Sequence, residues 1–177
     1  MEDRQIIEAV LAGDTRKYAE IVERYQRIVA NLTYKLCGNK LDVEEATQQV
    51  FVELYTALPR FRFDSKLSSF IYRITVNVVC KTMAKTRRLV SADAQPNLPE
   101  QRSEDRDAQQ QIIYNEQIDQ LRAAIGQLKD QQRTALVLYS FENFTYQQIA
   151  EVMQCSLSKV ESLIFRAKKN LAKQIKQ

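Results

Sequence analysis

The sequence predicts an all-α protein made of two small helical domains joined by a flexible linker, the C-terminal one a helix-turn-helix. Three observations carry this. The 177 residues include only three Gly and three Pro, while Leu, Ile, Ala, Gln, Glu, Lys and Arg, which favour helix, are abundant. Apolar residues recur every three or four positions along most of the chain, and that period lapses between Ser91 and Asp107. Near the C-terminus two hydroxyl residues stand where each would cap a helix start. The expected division is 1–90, an acidic linker over 91–107, and 108–177. At 45% hydrophobic content the chain can bury a core in each domain.

In chain order, residues 2 to 12 place Ile6, Ile7, Val10 and Leu11 at helical spacing, and Gly13-Asp14 ends that helix. From Thr15 to Leu36 a longer helix buries Tyr18, Ile21, Val22, Tyr25, Val29, Leu32 and Leu36. Gly38-Asn39 turns the chain into a third helix, Asp42 to Leu58. Its inward stripe is Val43, Ala46, Val50, Leu54, Ala57 and Leu58. Glu44, Glu45, Gln48, Gln49 and Val52 lie roughly opposite, a patch of acceptors and amides suited to a basic helical partner.

Pro59 stops the third helix, because its ring clashes with the preceding turn and it has no N–H to donate. Arg60-Phe61-Arg62-Phe63-Asp64 follows as a loop. The period then resumes with Leu67, Phe70, Ile71, Ile74 and Val78 inward, and Arg73, Asn77, Lys81, Ala84 and Arg88 along another face. Cations in register with an Asn, beside alternating Arg and Phe, suit single-stranded DNA: charge for phosphate, rings for unstacked bases.

Past the linker, with Pro96 and Pro99 and many Asp, Glu, Gln and Ser, a helix from about Asp107 to Gln127 uses Ile112, Ile113, Ile118, Leu121, Ile125 and Leu128. The next, Asp130 to Phe141, uses Ala135, Leu136, Leu138 and Tyr139. Thr145-x-x-Gln148 and Ser158-x-x-Glu161 both read as capping boxes, placing two helix starts thirteen residues apart. Ile149, Ala150, Met153, Cys155, Val160 and Leu163 take the buried positions of a helix-turn-helix, with Gln154 where the turn most often has Gly. On the last helix Val160, Leu163, Ile164, Ala167 and Leu171 face inward. Lys159, Ser162, Arg166, Lys169 and Lys173 form an outward row, the reading surface for a DNA duplex.

Charge is segregated. Net values are −3 over 1–58, +7 over 59–90, −5 over 91–120 and +5 over 121–177, two basic blocks separated by an acidic one, as expected of a protein touching nucleic acid twice. Cys37, Cys80 and Cys155 are odd in number and far apart, which argues against a disulfide framework or zinc site and for a reducing cytoplasm. The absence of His removes the commonest general base and metal ligand, so an enzyme is not expected, nor a metal or nucleotide cofactor. No apolar run approaches the ~18 residues of a membrane helix, and the N-terminus lacks a signal-peptide pattern, so neither membrane insertion nor export is expected.

Three stretches together resemble the extracytoplasmic-function (ECF) sigma factors of bacterial RNA polymerase, over nearly the whole chain. Asp42 to Phe51 resembles that family's acidic helix ending in Gln-Glu-Val-Phe. Phe70-Ile71-Tyr72-Arg73-Ile74-Thr75-Val76-Asn77 resembles its Trp-Leu-Tyr-Arg-Ile-Ala-x-Asn. Leu128 to Leu171 resembles its C-terminal DNA-binding region, with Lys159, Glu161 and Leu163 in place of frequent Thr, Lys and Arg. The resemblance implies a factor that binds core RNA polymerase and directs it to promoter DNA. It implies that Glu45, Gln48 and Gln49 meet the clamp helices of the largest polymerase subunit. It also implies that Phe61, Phe63, Arg73 and Asn77 help capture the melted minus-ten strand, while Lys159, Ser162 and Arg166 read the minus-thirty-five duplex. An anti-sigma protein, often membrane-anchored, would hold the chain inactive.

Two other functions fit parts of the sequence. A sigma-like decoy that binds only an anti-sigma protein would not need the +7 block. A stand-alone helix-turn-helix repressor would leave the acidic third helix without a purpose.

Overall fold

The computed structural model describes residues 2–37, 43–90, 120–121 and 123–175, without the side chains of 87–90 and 175. Gly38-Asn39, Asp42, the linker over 91–107, and Ile112, Ile113 and Ile118 lie outside the described residues. Among the described residues every regular element is helical. By contact the chain divides into two compact units, Met1–Leu89 with Glu151–Gln154, and Val90–Ala150 with Cys155–Gln177; each helix, with the turn that follows it, is described below with the unit that holds most of it.

In the first unit, α1 (Asp3–Leu11) ends as its glycine predicts. Gly13 takes φ +107°, and the N–H groups of Gly13 and Asp14 bond the carbonyls of Val10 and Ala9, satisfying acceptors that the helix end leaves free. Leu11 departs from expectation: it is 47% exposed, because the stripe of Ile6, Ile7 and Val10 alone faces the core and Leu11 falls beside it on the last turn. Thr15–Lys17 forms a 3₁₀ turn that leads into α2 (Tyr18–Cys37), so the long helix begins three residues later than its sequence suggests.

Two tyrosines tie these helices together. The Tyr25 hydroxyl donates to Asp3 Oδ2 at 2.6 Å, and Arg24 pairs with the other oxygen of the same carboxylate. The Tyr18 hydroxyl donates to the Phe51 carbonyl at 2.5 Å, pinning α2 to α3 (Val43–Ala57). Burial is the main cause that holds both phenols above the ordinary tyrosine range. Pro59 acts as expected, with α3 ending at Ala57 and Leu58–Arg60 forming a 3₁₀ turn.

The inward stripes of α1, α2 and α3 meet Leu67, Phe70, Ile71, Ile74 and Val78 of α4 (Leu67–Val90) in one core. Each fully buried Ile or Leu there contributes about 1.5–3 kcal/mol. Three threonines inside α4 bond back to the carbonyl four residues earlier, Thr75 to Ile71, Thr82 to Val78 and Thr86 to Thr82. This satisfies hydroxyls that would otherwise compete with the helix.

In the second unit, residues 120–121 and 123–127 are helical and Leu128 is buried. Next comes α5 (Asp130–Ser140), in which every residue from Gln132 to Leu138 is buried. It packs on α7 (Leu157–Ile175), and Asn170 donates to the Gln132 side chain at 3.1 Å. Between them lies α6 (Tyr146–Met153). Its capping box forms: the Gln148 N–H reaches Thr145 Oγ1, and the Thr145 N–H reaches Gln148 Oε1.

The second expected box does not form. Ser156, not Ser158, caps α7, accepting from the Lys159 N–H at 3.3 Å, so the caps stand eleven residues apart. The physical reason is the Ser156 carbonyl, which accepts from Lys159 and Val160. A start at Ser158 would lose those bonds.

Candidate partner and nucleic-acid surfaces

On α3, Glu44, Glu45, Gln48 and Gln49 are exposed opposite the buried Ala46, Val50 and Leu54. Val52, 58% exposed, gives the patch an apolar centre, and Gln49 donates to Glu53 at 3.4 Å. Beside the patch a groove of about 640 Å³ runs between α2 and α3, lined by Val22, Gln26, Arg27, Ala30, Val43, Glu44, Thr47, Gln48 and Phe51. The Thr47 hydroxyl is buried at this groove without a hydrogen-bond partner among the described residues. Sequence reasoning missed the α2 side of the groove, because Val22 belongs to a stripe that reads wholly as core.

The loop after α3 separates two rings that the sequence makes equivalent. Phe61 is 8% exposed and belongs to the core, tilted against Phe70 with centroids 5.0 Å apart. Its ring is therefore not presented to solvent, contrary to a reading in which both phenylalanines offer a stacking face. Phe63 is only partly buried, edge-on to Phe61 at 5.0 Å, with its backbone in the left-handed region at φ +58°. The Arg4 guanidinium lies over its ring, 5.1 Å from the centroid.

A concavity of about 210 Å³ opens here, lined by Arg60, Phe61, Arg62, Asp64, Ser65, Phe70 and Arg73. Three guanidinium groups at one small cavity make it attractive to an anion. Arg73 is also held against the Phe70 ring at 5.0 Å, so its charge is placed rather than free to wander. Along α4, Asn77 and Lys81 are exposed, while the Arg88 side chain lies outside the described residues. The structure thus brings Arg60, Phe61 and Arg73 to one cavity and places Asn77 and Lys81 further along the helix.

In the second unit, the turn between α6 and α7 adopts the geometry a helix-turn-helix requires without a glycine. Gln154 takes φ +51°, its N–H bonding the Glu151 carbonyl and the Cys155 N–H bonding that of Ala150. Ile149, Val152, Val160, Leu163, Ile164 and Ala167 are buried, whereas Ala150, Met153, Cys155 and Leu171 are only partly so. Val152 was not legible as core, because the expected stripe ran through Met153. Lys159, Ser162, Arg166, Lys169 and Lys173 are all exposed. Lys168 instead turns its ammonium onto the Tyr139 ring, 4.7 Å from the centroid, and Tyr139 meets Tyr146 edge-on.

No described helix is long and apolar enough to cross a membrane. Comparison with known proteins matches residues 21–89 to Sigma-70 region 2 and residues 118–171 to Sigma-70 region 4. The RNA polymerase sigma-H factor of Pseudomonas aeruginosa is 31% identical over 97% of this chain and 93% of its own. The ECF RNA polymerase sigma-E factor of Escherichia coli K12 is also 31% identical, over 95% and 91%. Among solved structures, CnrH in complex with the cytosolic domain of CnrY superposes with a TM-score of 0.67 at 21% identity, covering 98% of this chain and 97% of that one. RpoE of Bartonella quintana, in complex with the anti-sigma factor NepR, gives 0.70 at 16% identity, covering 91% and 98%.

Proposed function

The chain belongs to the extracytoplasmic-function sigma factors of RNA polymerase, and we propose that it binds the core enzyme and directs it to promoters through three surfaces with separate tasks. The first domain, residues 1–90, takes the polymerase and the melted strand; the last, residues 108–177, takes the closed duplex.

Glu45, Gln48 and Gln49 of α3 meet the polymerase, with Val52 as the apolar centre of the contact. The groove beside them is suited to a partner helix, one polar group of which would satisfy Thr47. Lys159, Ser162, Arg166 and Lys169 of α7 face the minus-thirty-five duplex: the row is exposed opposite a buried stripe and follows a turn of helix-turn-helix geometry.

The observation that carries the assignment of strand capture is the cavity between Arg60, Phe61, Arg62 and Arg73, with Phe63 partly open beside it. Its volume suits a single unstacked base, its cations suit the flanking phosphate, and Phe63 supplies the stacking face. Phe61 acts from beneath as a support. Asn77, Lys81 and Arg88 continue the contact along α4.

CnrH and RpoE of Bartonella quintana are held by partner proteins in their solved complexes. We assign this chain a comparable anti-sigma partner, which would cover the polymerase-binding face. The site of action is the cytoplasm, and the role is that of an initiation factor without a catalytic centre of its own. In vitro transcription with core polymerase on random promoter fragments tests this reading. Initiation at a recurring sequence, dependent on the added chain, is the expected result. Binding to an anti-sigma protein without any initiation would favour the decoy.

A further inference from the structure

One residue on the outward side of α7 has no task in the function above. Glu161 is exposed two turns or less from the Ser156 cap, and no Lys or Arg stands three or four residues to either side of it: those positions are Leu157, Ser158, Ile164 and Phe165. Lys168, the cation further along the same flank, is turned onto Tyr139. Among the described residues the Glu161 side chain makes no hydrogen bond or ion pair. Helical spacing puts Lys159 and Arg166 on one flank of the face, Glu161 and Phe165 on the other, and Ser162 between them.

A carboxylate entering a DNA groove loses water and meets phosphate repulsion from both strands. That cost is offset only where a donor on a base edge meets the carboxylate. The major groove offers two such donors, the amino groups of cytosine and adenine. Adenine carries its N7 acceptor beside the amino group, and a carboxylate, which can only accept, is repelled by it. Cytosine has no acceptor beside its own.

We propose that Glu161 is a specificity-determining residue that accepts a hydrogen bond from the amino group of a cytosine in the duplex read by α7. Phe165, 68% exposed one turn further on, packs against the methyl group of a neighbouring thymine. The inference rests on the assignment of α7 as the duplex-reading helix.

The test uses the full chain assembled with core polymerase, a pool of duplex fragments randomised over the minus-thirty-five element, and sequencing of the bound fraction. The parent chain should enrich cytosine at one position by about 5- to 150-fold over the other bases. Glu161→Ala should level that position while raising overall affinity, since a negative charge has left the interface. Glu161→Gln should move the preference to adenine, whose N6 and N7 match the acceptor and donor of an amide. Unchanged cytosine enrichment in both variants, with Arg166→Ala still weakening binding, would overturn the inference and leave the assignment of α7 standing. A parent chain that enriches nothing would overturn both.

Discussion

The Arg4 guanidinium covers the Phe63 ring at 5.1 Å from its centroid, so α1 reaches the loop that follows α3. Arg4 Nε is itself fixed by Glu8 Oε1 at 2.9 Å, and the Phe61 ring meets Phe63 edge-on. Phe63, the ring proposed to take a base, is thereby oriented in the free chain. Phe63 holds a left-handed backbone that costs a non-glycine residue roughly 1 kcal/mol or more, and these contacts offset it.

Arg4→Ala should therefore lower the stability of the chain by about 0.5–1 kcal/mol, the scale of an exposed cation–π contact. Open-complex yield should fall less than it does in Phe63→Ala. Thermal melting and permanganate reactivity measure the two effects, and a variant that melts and opens promoters like the parent would show that the ring needs no cover.

A second prediction concerns stability alone. Arg133, only 3% exposed, donates to Asp130 Oδ1 at 2.6 Å and to the Gly126 carbonyl at 3.1 Å, joining the start of α5 to the turn before it. Arg133→Ala removes a buried guanidinium that donates to both groups, of which the Asp130 carboxylate is itself 24% exposed, and should destabilise the chain by about 1.5–3 kcal/mol. Urea unfolding followed by helical circular dichroism checks this; a loss under 1 kcal/mol would mean water replaces the guanidinium freely.

At Gln154 the left-handed backbone sets the order of tolerated residues. Gln154→Gly should change stability by less than about 1 kcal/mol, because relief of strain is set against greater freedom of the unfolded chain. Gln154→Val should destabilise by about 1–3 kcal/mol, since a branched side chain clashes at positive φ. Thermal denaturation of the two variants gives the ranking, and the reverse order would contradict the turn geometry.

On α3, replacing Val52 by Asp puts a charge at the apolar centre of the proposed polymerase contact without disturbing a buried residue. Core-polymerase affinity should fall by at least about tenfold, the scale of a central interface residue, with helical content unchanged. Titration of labelled chain against core enzyme measures it, and unaltered affinity would move the contact off this face.

Much of the fold was legible because most helices are amphipathic on one side only. The inward stripes of α2, α3, α4 and α7 and the outward rows opposite them follow directly from a 3.6-residue period. Where that period carries no information, sequence reasoning failed. Helix α5 is buried along seven consecutive residues, so no face stands out and Arg133 could not be recognised as interior. Phe61 and Phe63 alternate in a loop without a period, and only the packing of Phe70 decides which ring is core. Ser156 and Ser158 both offer a hydroxyl. The Glu three residues after Ser158 favoured the wrong one, because backbone bonds to the Ser156 carbonyl outweigh a side-chain box. The groove beside α3 needed two helices to be seen together.

In the proposed function Phe63 is the ring that holds a displaced base and α7 is the reader of closed duplex. Permanganate footprinting of Phe63→Ala and Arg166→Ala, on an intact promoter and on one melted beforehand, tests both at once. Phe63→Ala should bind the closed promoter normally and open it poorly, each lost base–aromatic stack being worth about 1–3 kcal/mol, with partial rescue on melted DNA. Arg166→Ala should weaken binding on both templates by about 1–3 kcal/mol if it reads a base edge. Normal melting of the intact promoter by Phe63→Ala and by Asn77→Ala would contradict the account, because the loop and α4 could not then be the elements that capture the strand.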